Sequence, residues 1–264
     1  MKKGEIYIVS TGVGEKEHMT FNALTMLQKA DIIVGYKKYI EDIKPLIEGK
    51  LSYSSGMTQE VDRCKYAIEK ALEKNKVALI SNGDVNVYGM AGLVLEIIDA
   101  NKLWDKLEIV IEPGITTFLA AAAKVGAPVM NDFAVISLSN LLTPVELIQK
   151  RLKNALEADF VLGIYNPLSK TRKEPYIMFL ELLQKTINSQ IPVTIAQNLG
   201  REDEKIIICT VAKLINAGDD MEMVNMSSVL IIGNSTSRIV NNGKSIITRR
   251  GYQQVYEYSL DKRE

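Results

Sequence analysis

The sequence predicts an α/β protein built from two domains. Three observations predict it: short runs rich in Val and Ile alternate with longer stretches of helical period, the chain is 264 residues long, and a helix of small residues ends at Gly126-Ala127-Pro128. Such alternation marks a largely parallel sheet covered by helices. Single cores stop growing at about 250–300 residues, so this length favours two domains. The expected division falls after residue 127, separating 1–127 from 128–264. No Gly/Ser or Pro-rich linker intervenes, so the halves are expected to pack closely, with a ligand cleft between them.

Strands are expected at 5–10, 31–35, 77–81 and 107–111 in the first half, and at 133–137, 160–165, 193–196, 205–209 and 229–232 in the second. Each is a short β-branched run bounded by turn formers. Segment 60–75 repeats apolar residues at Val61, Cys64, Ala67, Ile68, Ala71 and Leu72, spacings that set one helical stripe against a sheet. Leu93, Val94, Ile97 and Ile98 make a similar stripe, with Glu96, Asp99 and Lys102 facing away. Segment 116–125 carries four consecutive alanines, which permit close packing, and stops at Gly126. Beyond Gly233 the alternation fades, and 243–264 reads as a short strand or hairpin followed by a charged tail.

The 32 Lys plus Arg balance 32 Asp plus Glu, which argues against a general nucleic-acid binder. Any anionic ligand must therefore be met by a local cluster of cations. No apolar run reaches the roughly 20 residues of a membrane-spanning helix, and Met1-Lys2-Lys3-Gly4 leads straight into a strand, so a cytoplasmic protein is expected. Cys64 and Cys209 are the only cysteines and His18 the only histidine. That excludes a Cys/His zinc cluster, and no metal is expected. It also excludes imidazole-dependent hydrolases unless His18 is the base. The cysteines are expected to be buried, and His18 to lie near the first loop.

Three strand ends can carry chemistry. Ser10-Thr11-Gly12-Val13-Gly14-Glu15 follows the first strand, and its glycines allow close approach of a ligand to the backbone. The dinucleotide fingerprint would need a third glycine where Glu17 stands, which disfavours a nicotinamide site. Ser81-Asn82-Gly83-Asp84-Val85-Asn86-Val87-Tyr88-Gly89 lies where open α/β sheets collect ligands. Asp84 can accept hydrogen bonds from ribose hydroxyls or sit near a sulfonium; it can equally stabilise the turn or cap the next helix. Glu112-Pro113-Gly114-Ile115-Thr116-Thr117 is a third turn into a helix.

Together these turns resemble the tetrapyrrole (corrin/porphyrin) methylase family, whose loops read approximately G-x-G-P-G-D, G-D-P-x-x-Y/F-G and P-G-[IV]-[ST]. The resemblance covers essentially the whole chain. Further stretches resemble the branch of that family that methylates carbon 17 of the corrin precursor ring. They are 34–39, Ser54-Ser55-Gly56-Met57, 88–92, 132–139, Leu141-Leu142-Thr143-Pro144, Tyr165-Asn166-Pro167-Leu168-Ser169-Lys170, Asn198-Leu199-Gly200-Arg201-Glu202 and Ile232-Gly233-Asn234-Ser235.

The resemblance implies two α/β domains of the tetrapyrrole methylase type, S-adenosyl-L-methionine as methyl donor in the cleft, a corrinoid tetrapyrrole as substrate, and a homodimer. By motif position, Val13, Gly83, Asp84, Val87, Thr116 and Thr117 of the first half, with Tyr165 and Asn198 of the second, are implied to contact the donor. The macrocycle carries several carboxylates, for which Lys37, Lys38, Lys170, Arg172, Arg201 and Arg238 are the candidate partners. The implied reaction places a methyl on ring carbon 17 with ring contraction. Alternatives are methylation at another ring carbon and a non-catalytic tetrapyrrole- or nucleotide-binding protein on the same scaffold. Four positions depart from the family pattern: Ser10 replaces its first glycine, Val13 and Val85 its prolines, and Glu15 its aspartate. Fewer prolines should loosen the unbound loops.

Overall fold

The computed structural model of the protein describes residues 3–14, 16–56 and 58–258. Glu15 and Met57, both part of the motifs above, lie outside the described residues. The chain divides into two compact units, Met1–Ala120 and Ala121–Glu264.

The first unit runs β1 (Gly4–Ser10), α1 (Phe21–Lys29), β2 (Ile32–Tyr36), α2 (Lys37–Asp42), β3 (Leu51–Ser55), α3 (Glu60–Leu72), β4 (Lys76–Ser81), α4 (Ala91–Ala100) and β5 (Leu107–Glu112). Its five strands are ordered β3-β2-β4-β1-β5, and every pairing is parallel. Both faces are covered. Ile6, Ile8, Val77 and Leu79 point into a core shared with α3 and α4, while Tyr7, Val9, Ala78 and Ile80 point into one shared with α1. Burial on both sides explains the unbroken apolar runs of the central strands. Strand β3 has no such signature: Leu51-Ser52-Tyr53-Ser54-Ser55 is an edge strand with a largely exposed surface.

Helix α3 is turned slightly from the expected stripe. Val61 is exposed, whereas Arg63 lies buried with Cys64, Ala67, Ile68 and Ala71. Cys64 and Cys209 are buried free thiols, and burial pushes them up to about 12 and about 11.

Helix α5 (Thr117–Val125) spans the division and leads into β6 (Gly126–Ala127). The second unit continues with β7 (Phe133–Ser137), α6 (Val145–Glu157), β8 (Val161–Tyr165), α7 (Glu174–Thr186), β9 (Pro192–Gln197), β10 (Lys205–Thr210), α8 (Val211–Ala217), β11 (Ser228–Ile232), β12 (Ser237–Val240) and β13 (Ser245–Thr248). Its main sheet, β10-β9-β11-β8-β7, is mixed, with only β7 and β8 paired in parallel. The turn between β9 and β10 is too short for the crossover of about a dozen residues that a parallel pair needs, so this pair is antiparallel. Leu162, Ile164, Val193, Ile195, Leu230 and Ile232 carry the core against α6, α7 and α8. The expected hairpin near the end is β12–β13, joined by β6 into a small three-stranded sheet.

Candidate functional site

Because all five strands of the first sheet are parallel, the loops after β1, β4 and β5 emerge at one edge. The chain leaving β1 turns to α1 on one face, and the chain leaving β4 turns to α4 on the other. β1 and β4 are neighbours, so this is the topological switch point at which open α/β sheets take ligands.

The three turns are fastened to each other largely through the backbone. Gly12 and Gly83 exchange hydrogen bonds, Gly83 N–H to the Gly12 carbonyl at 2.7 Å and Gly12 N–H to the Gly83 carbonyl at 3.2 Å. Both take positive φ, +64° and +71°. Asn82 Nδ2 donates to the Gly12 carbonyl at 3.0 Å. Gly114 completes the contact: a Cβ there would stand 2.5 Å from Ser10 Cβ and 2.6 Å from the Gly83 carbonyl oxygen. A Cβ on Gly83 would stand 3.2 Å from Thr117 Oγ1. Glycine is needed at Gly114 because backbone and side chain already fill the room.

Two departures from the family pattern prove to be one arrangement. Ser10 Oγ donates to the Glu112 carbonyl at 2.7 Å and accepts from Val85 N–H at 3.0 Å, so it fastens the second turn to the end of β5. A glycine at 10 would offer no acceptor and a proline at 85 no donor. Serine and valine therefore belong together, replacing a stiff proline by a hydrogen bond that restrains the same turn.

Asp84 has a structural duty. Its Oδ1 accepts from Asn86 N–H at 2.7 Å and its Oδ2 from Gly114 N–H at 2.9 Å, tying the second turn to the third. Val87 N–H donates to the Asp84 carbonyl at 3.1 Å within that turn. Val13 is buried, and its carbonyl lies 2.6 Å from His18 Nδ1. The lone histidine thus braces the first loop. Thr20 caps α1, its Oγ1 accepting from Ala23 N–H at 2.9 Å and donating to the buried carboxylate of Glu112. Thr116 accepts from Ala120 N–H at 3.1 Å, and Thr117 opens α5.

Farther along this edge, Lys37 and Lys38 begin α2 directly after β2. Beside them is a group that periodicity missed. Arg63 is only 3% exposed, yet it forms no ion pair with a carboxylate among the described residues. Its Nε donates to Ser55 Oγ and its Nη2 to the Gly56 carbonyl, both at 2.9 Å, and the guanidinium lies 5.9 Å from the centre of the Tyr36 ring. An unpaired buried charge costs several kcal/mol unless something compensates it. The only sequence signal was a charge on the apolar side of a helical stripe.

In the second unit, β7, β8 and β9 end at a common edge. Tyr165 closes β8, its carbonyl accepting from Leu138 N–H at 2.9 Å. Lys170 and Arg172 lie in the following loop, where Arg172 Nη1 reaches Asn140 Oδ1 at 3.3 Å. Asn198 takes φ +47° after β9; its Nδ2 donates to Asp203 Oδ2 at 2.7 Å, and its carbonyl accepts from Arg201 N–H at 3.0 Å. Glu204 accepts from Gly200 N–H and from Lys124 Nζ, each at 2.8 Å. Arg238 is elsewhere. It sits on β12, beyond the end of β11, and β11 runs antiparallel to β8, so it lies at the opposite edge from Tyr165 and Asn198.

Among the described residues, no group of three or more His, Cys, Asp or Glu side chains is arranged to hold a metal ion. No helix among them is long and apolar enough to cross a membrane.

Residues 5–215 match the sequence profile of the Tetrapyrrole (Corrin/Porphyrin) Methylases. The chain is 43% identical over 254 residues to a probable cobalt-factor III C(17)-methyltransferase of Methanocaldococcus jannaschii, covering 96% of this chain and 99% of that one. It is 36% identical to a precorrin-3B C(17)-methyltransferase of Sinorhizobium sp, covering 90% and 91%. Among solved structures, the methyltransferase CobJ superposes with a TM-score of 0.86 at 32% identity, covering 94% of this chain and all (100%) of that one. The fold is shared at a TM-score of 0.67 and 17% identity with a uroporphyrin-III C-methyl transferase of Thermus thermophilus complexed with S-adenyl homocysteine, covering 87% and 97%. The chain belongs to the tetrapyrrole (corrin/porphyrin) methylases.

Proposed function

We propose that the protein is an S-adenosyl-L-methionine-dependent methyltransferase of corrin-ring biosynthesis that methylates carbon 17 of precorrin-3B or cobalt-factor III with contraction of the ring. The observation that carries this reading is the backbone-fastened junction of three strand-end turns at the switch point, in a chain whose relatives are named C(17)-methyltransferases.

The residues present suit the donor. Gly12, Gly83 and Gly114 let the turns meet without side chains between them, the cradle expected for a small molecule held against the backbone. The donor contacts proposed are Val13, Gly83, Asp84, Val87, Thr116 and Thr117, with Tyr165 and Asn198 from the second unit. Asp84 keeps lone pairs beyond the two backbone bonds it accepts, so turn-building and donor recognition are compatible in one carboxylate. The sulfonium supplies an activated methyl, so the chain needs neither metal nor nucleophile. Its task is alignment, which can lower a barrier by about 7–11 kcal/mol.

Lys37, Lys38, Lys170, Arg172 and Arg201 are proposed to meet carboxylates of the macrocycle, and Arg63 joins them. Its buried guanidinium has hydrogen bonds but no carboxylate partner among the described residues, and it lies against Tyr36, the residue before Lys37; an acetate or propionate of the substrate would supply the missing counter-charge. A homodimer is the proposed assembly.

The test is single-turnover transfer from methyl-labelled donor to precorrin-3B and to cobalt-factor III, with the new methyl located by NMR. Label at carbon 17 is expected. Label at another carbon would replace the reading with its nearest rival, and donor binding without transfer would favour a carrier.

A further inference from the structure

At the far edge of the second unit's sheet, where Arg238 lies, the structure has a cavity of about 620 Å3. Arg238, Arg249 and Arg250 line it together with Tyr252, Tyr258 and Met130. This is not the edge that carries Tyr165 and Asn198. The five residues of β8 separate the two, roughly 17 Å at about 3.3 Å per residue.

The frame of the cavity is firmly built. Asn234 Oδ1 accepts from Thr236 N–H at 3.0 Å and from Thr236 Oγ1 at 2.8 Å, while Asn234 Nδ2 donates to the Asp159 carbonyl at 3.1 Å. Thr236 Oγ1 also reaches the Arg249 carbonyl at 3.0 Å, and Thr248 Oγ1 donates to the Pro128 carbonyl at 2.6 Å. Gly251, at φ +87°, then turns the chain back so that Tyr252 faces the same space.

The cations on this frame are exposed and are not tied up in ion pairs among the described residues. None of the three arginines is ion-paired among the described residues, although the chain has equal numbers of acids and bases. The carboxylate of Asp159 is oriented towards Ser235, its Oδ1 accepting from Ser235 N–H at 2.8 Å and its Oδ2 from the Ser235 hydroxyl at 2.5 Å, and it forms no ion pair with these arginines. Three guanidinium groups gathered around one concavity repel each other unless an anion joins them. Their forked donors suit phosphate or carboxylate, and tyrosine faces suit a flat body. The volume falls within the range of about 300–1,000 Å3 typical of small-molecule sites.

We propose that this cavity is a second ligand site, at the edge of the second unit's sheet opposite Tyr165 and Asn198. It would bind a multiply charged anion with a planar ring, whose phosphates or carboxylates engage Arg238, Arg249 and Arg250. The inference does not depend on the reaction proposed above.

The test is titration calorimetry on the full chain with two probes, ATP for the phosphate class and uroporphyrin III for the carboxylate class. S-adenosylhomocysteine is kept at saturating concentration to occupy the donor site. At least one probe is expected to bind with a Kd below 1 mM, the better one naming the class. The double variant R249Q/R250Q should weaken it by about tenfold or more, as loss of charge-assisted hydrogen bonds requires, and R249K/R250K should weaken it less. Both arginines are exposed, so neither variant threatens the core. Failure of both probes to bind below 1 mM, or a smaller loss in the glutamine variant, overturns the proposal.

Discussion

The two loop-bearing edges that carry the motifs are built on different principles. In the first unit, turns from three separate strands meet backbone to backbone, with Gly12 bonded to Gly83 and Gly114 pressed against Ser10. In the second, the Asn198 turn holds itself together with side chains, Asn198 to Asp203 and Gly200 to Glu204. A backbone junction has no room for a Cβ, whereas a side-chain clasp on a surface turn can be rebuilt by water. The first edge should therefore be intolerant of small changes and the second forgiving.

The sharpest way to break this contrast is Gly114→Ala. Overlaps at 2.5 and 2.6 Å cannot be relieved by a flexible side chain, so a destabilisation of about 3 kcal/mol is expected in urea unfolding. Calorimetry on the folded fraction should register loss of S-adenosylhomocysteine binding. A variant of wild-type stability and affinity would show that the junction opens freely.

Next comes Ser10→Ala, which strands the buried Val85 N–H and should cost about 1–3 kcal/mol. The double variant S10G/V85P restores the family's residues and removes donor and acceptor together. It should be more stable than Ser10→Ala. A double-mutant cycle with no coupling would refute the pairing of these two positions.

Arg63→Lys keeps the charge but loses the fork. With the macrocycle as substrate, KM should rise about tenfold while KM for the methyl donor stays unchanged, and Arg63→Gln should raise it further. If both constants move together, or only the melting temperature falls, Arg63 serves the fold alone.

A smaller effect follows from Cys64. Burial chiefly, and Glu60 in lesser part, raise its thiol from 9.0 to about 12 against the pull of Arg63. The unfolded chain releases this proton first, so the associated stability is complete below pH 9 and is lost as pH rises towards 12. A thiol reagent at pH 8 should modify neither cysteine until denaturant is added.

The smallest effect belongs to the second edge. Asp203→Ala removes one hydrogen bond from an exposed turn and should change stability by about 1 kcal/mol or less. A larger loss would erase the difference between the two edges.

Much of this was legible in the sequence for a plain reason. β1 and β4 are buried on both faces, so their apolar runs are continuous, and α4 writes its buried stripe at regular spacing. Glycines at strand ends mark where backbones approach. β3 was not legible, because an exposed edge strand has no need of apolar residues. The mixed second sheet was not legible either, since strand direction depends on where a connection leads.

By itself the sequence determined the α/β class, the strand-end turns and the family, because solvent exclusion and backbone sterics act on residues near each other in the chain. Only the tertiary structure decided that Ser10 and Val85 are partners across 75 positions. It also decided that Arg63 turns inward and that Arg238 stands with Arg249 and Arg250 rather than beside Tyr165. These are contacts between distant segments, and sheet order, which local pattern does not encode, brings them together.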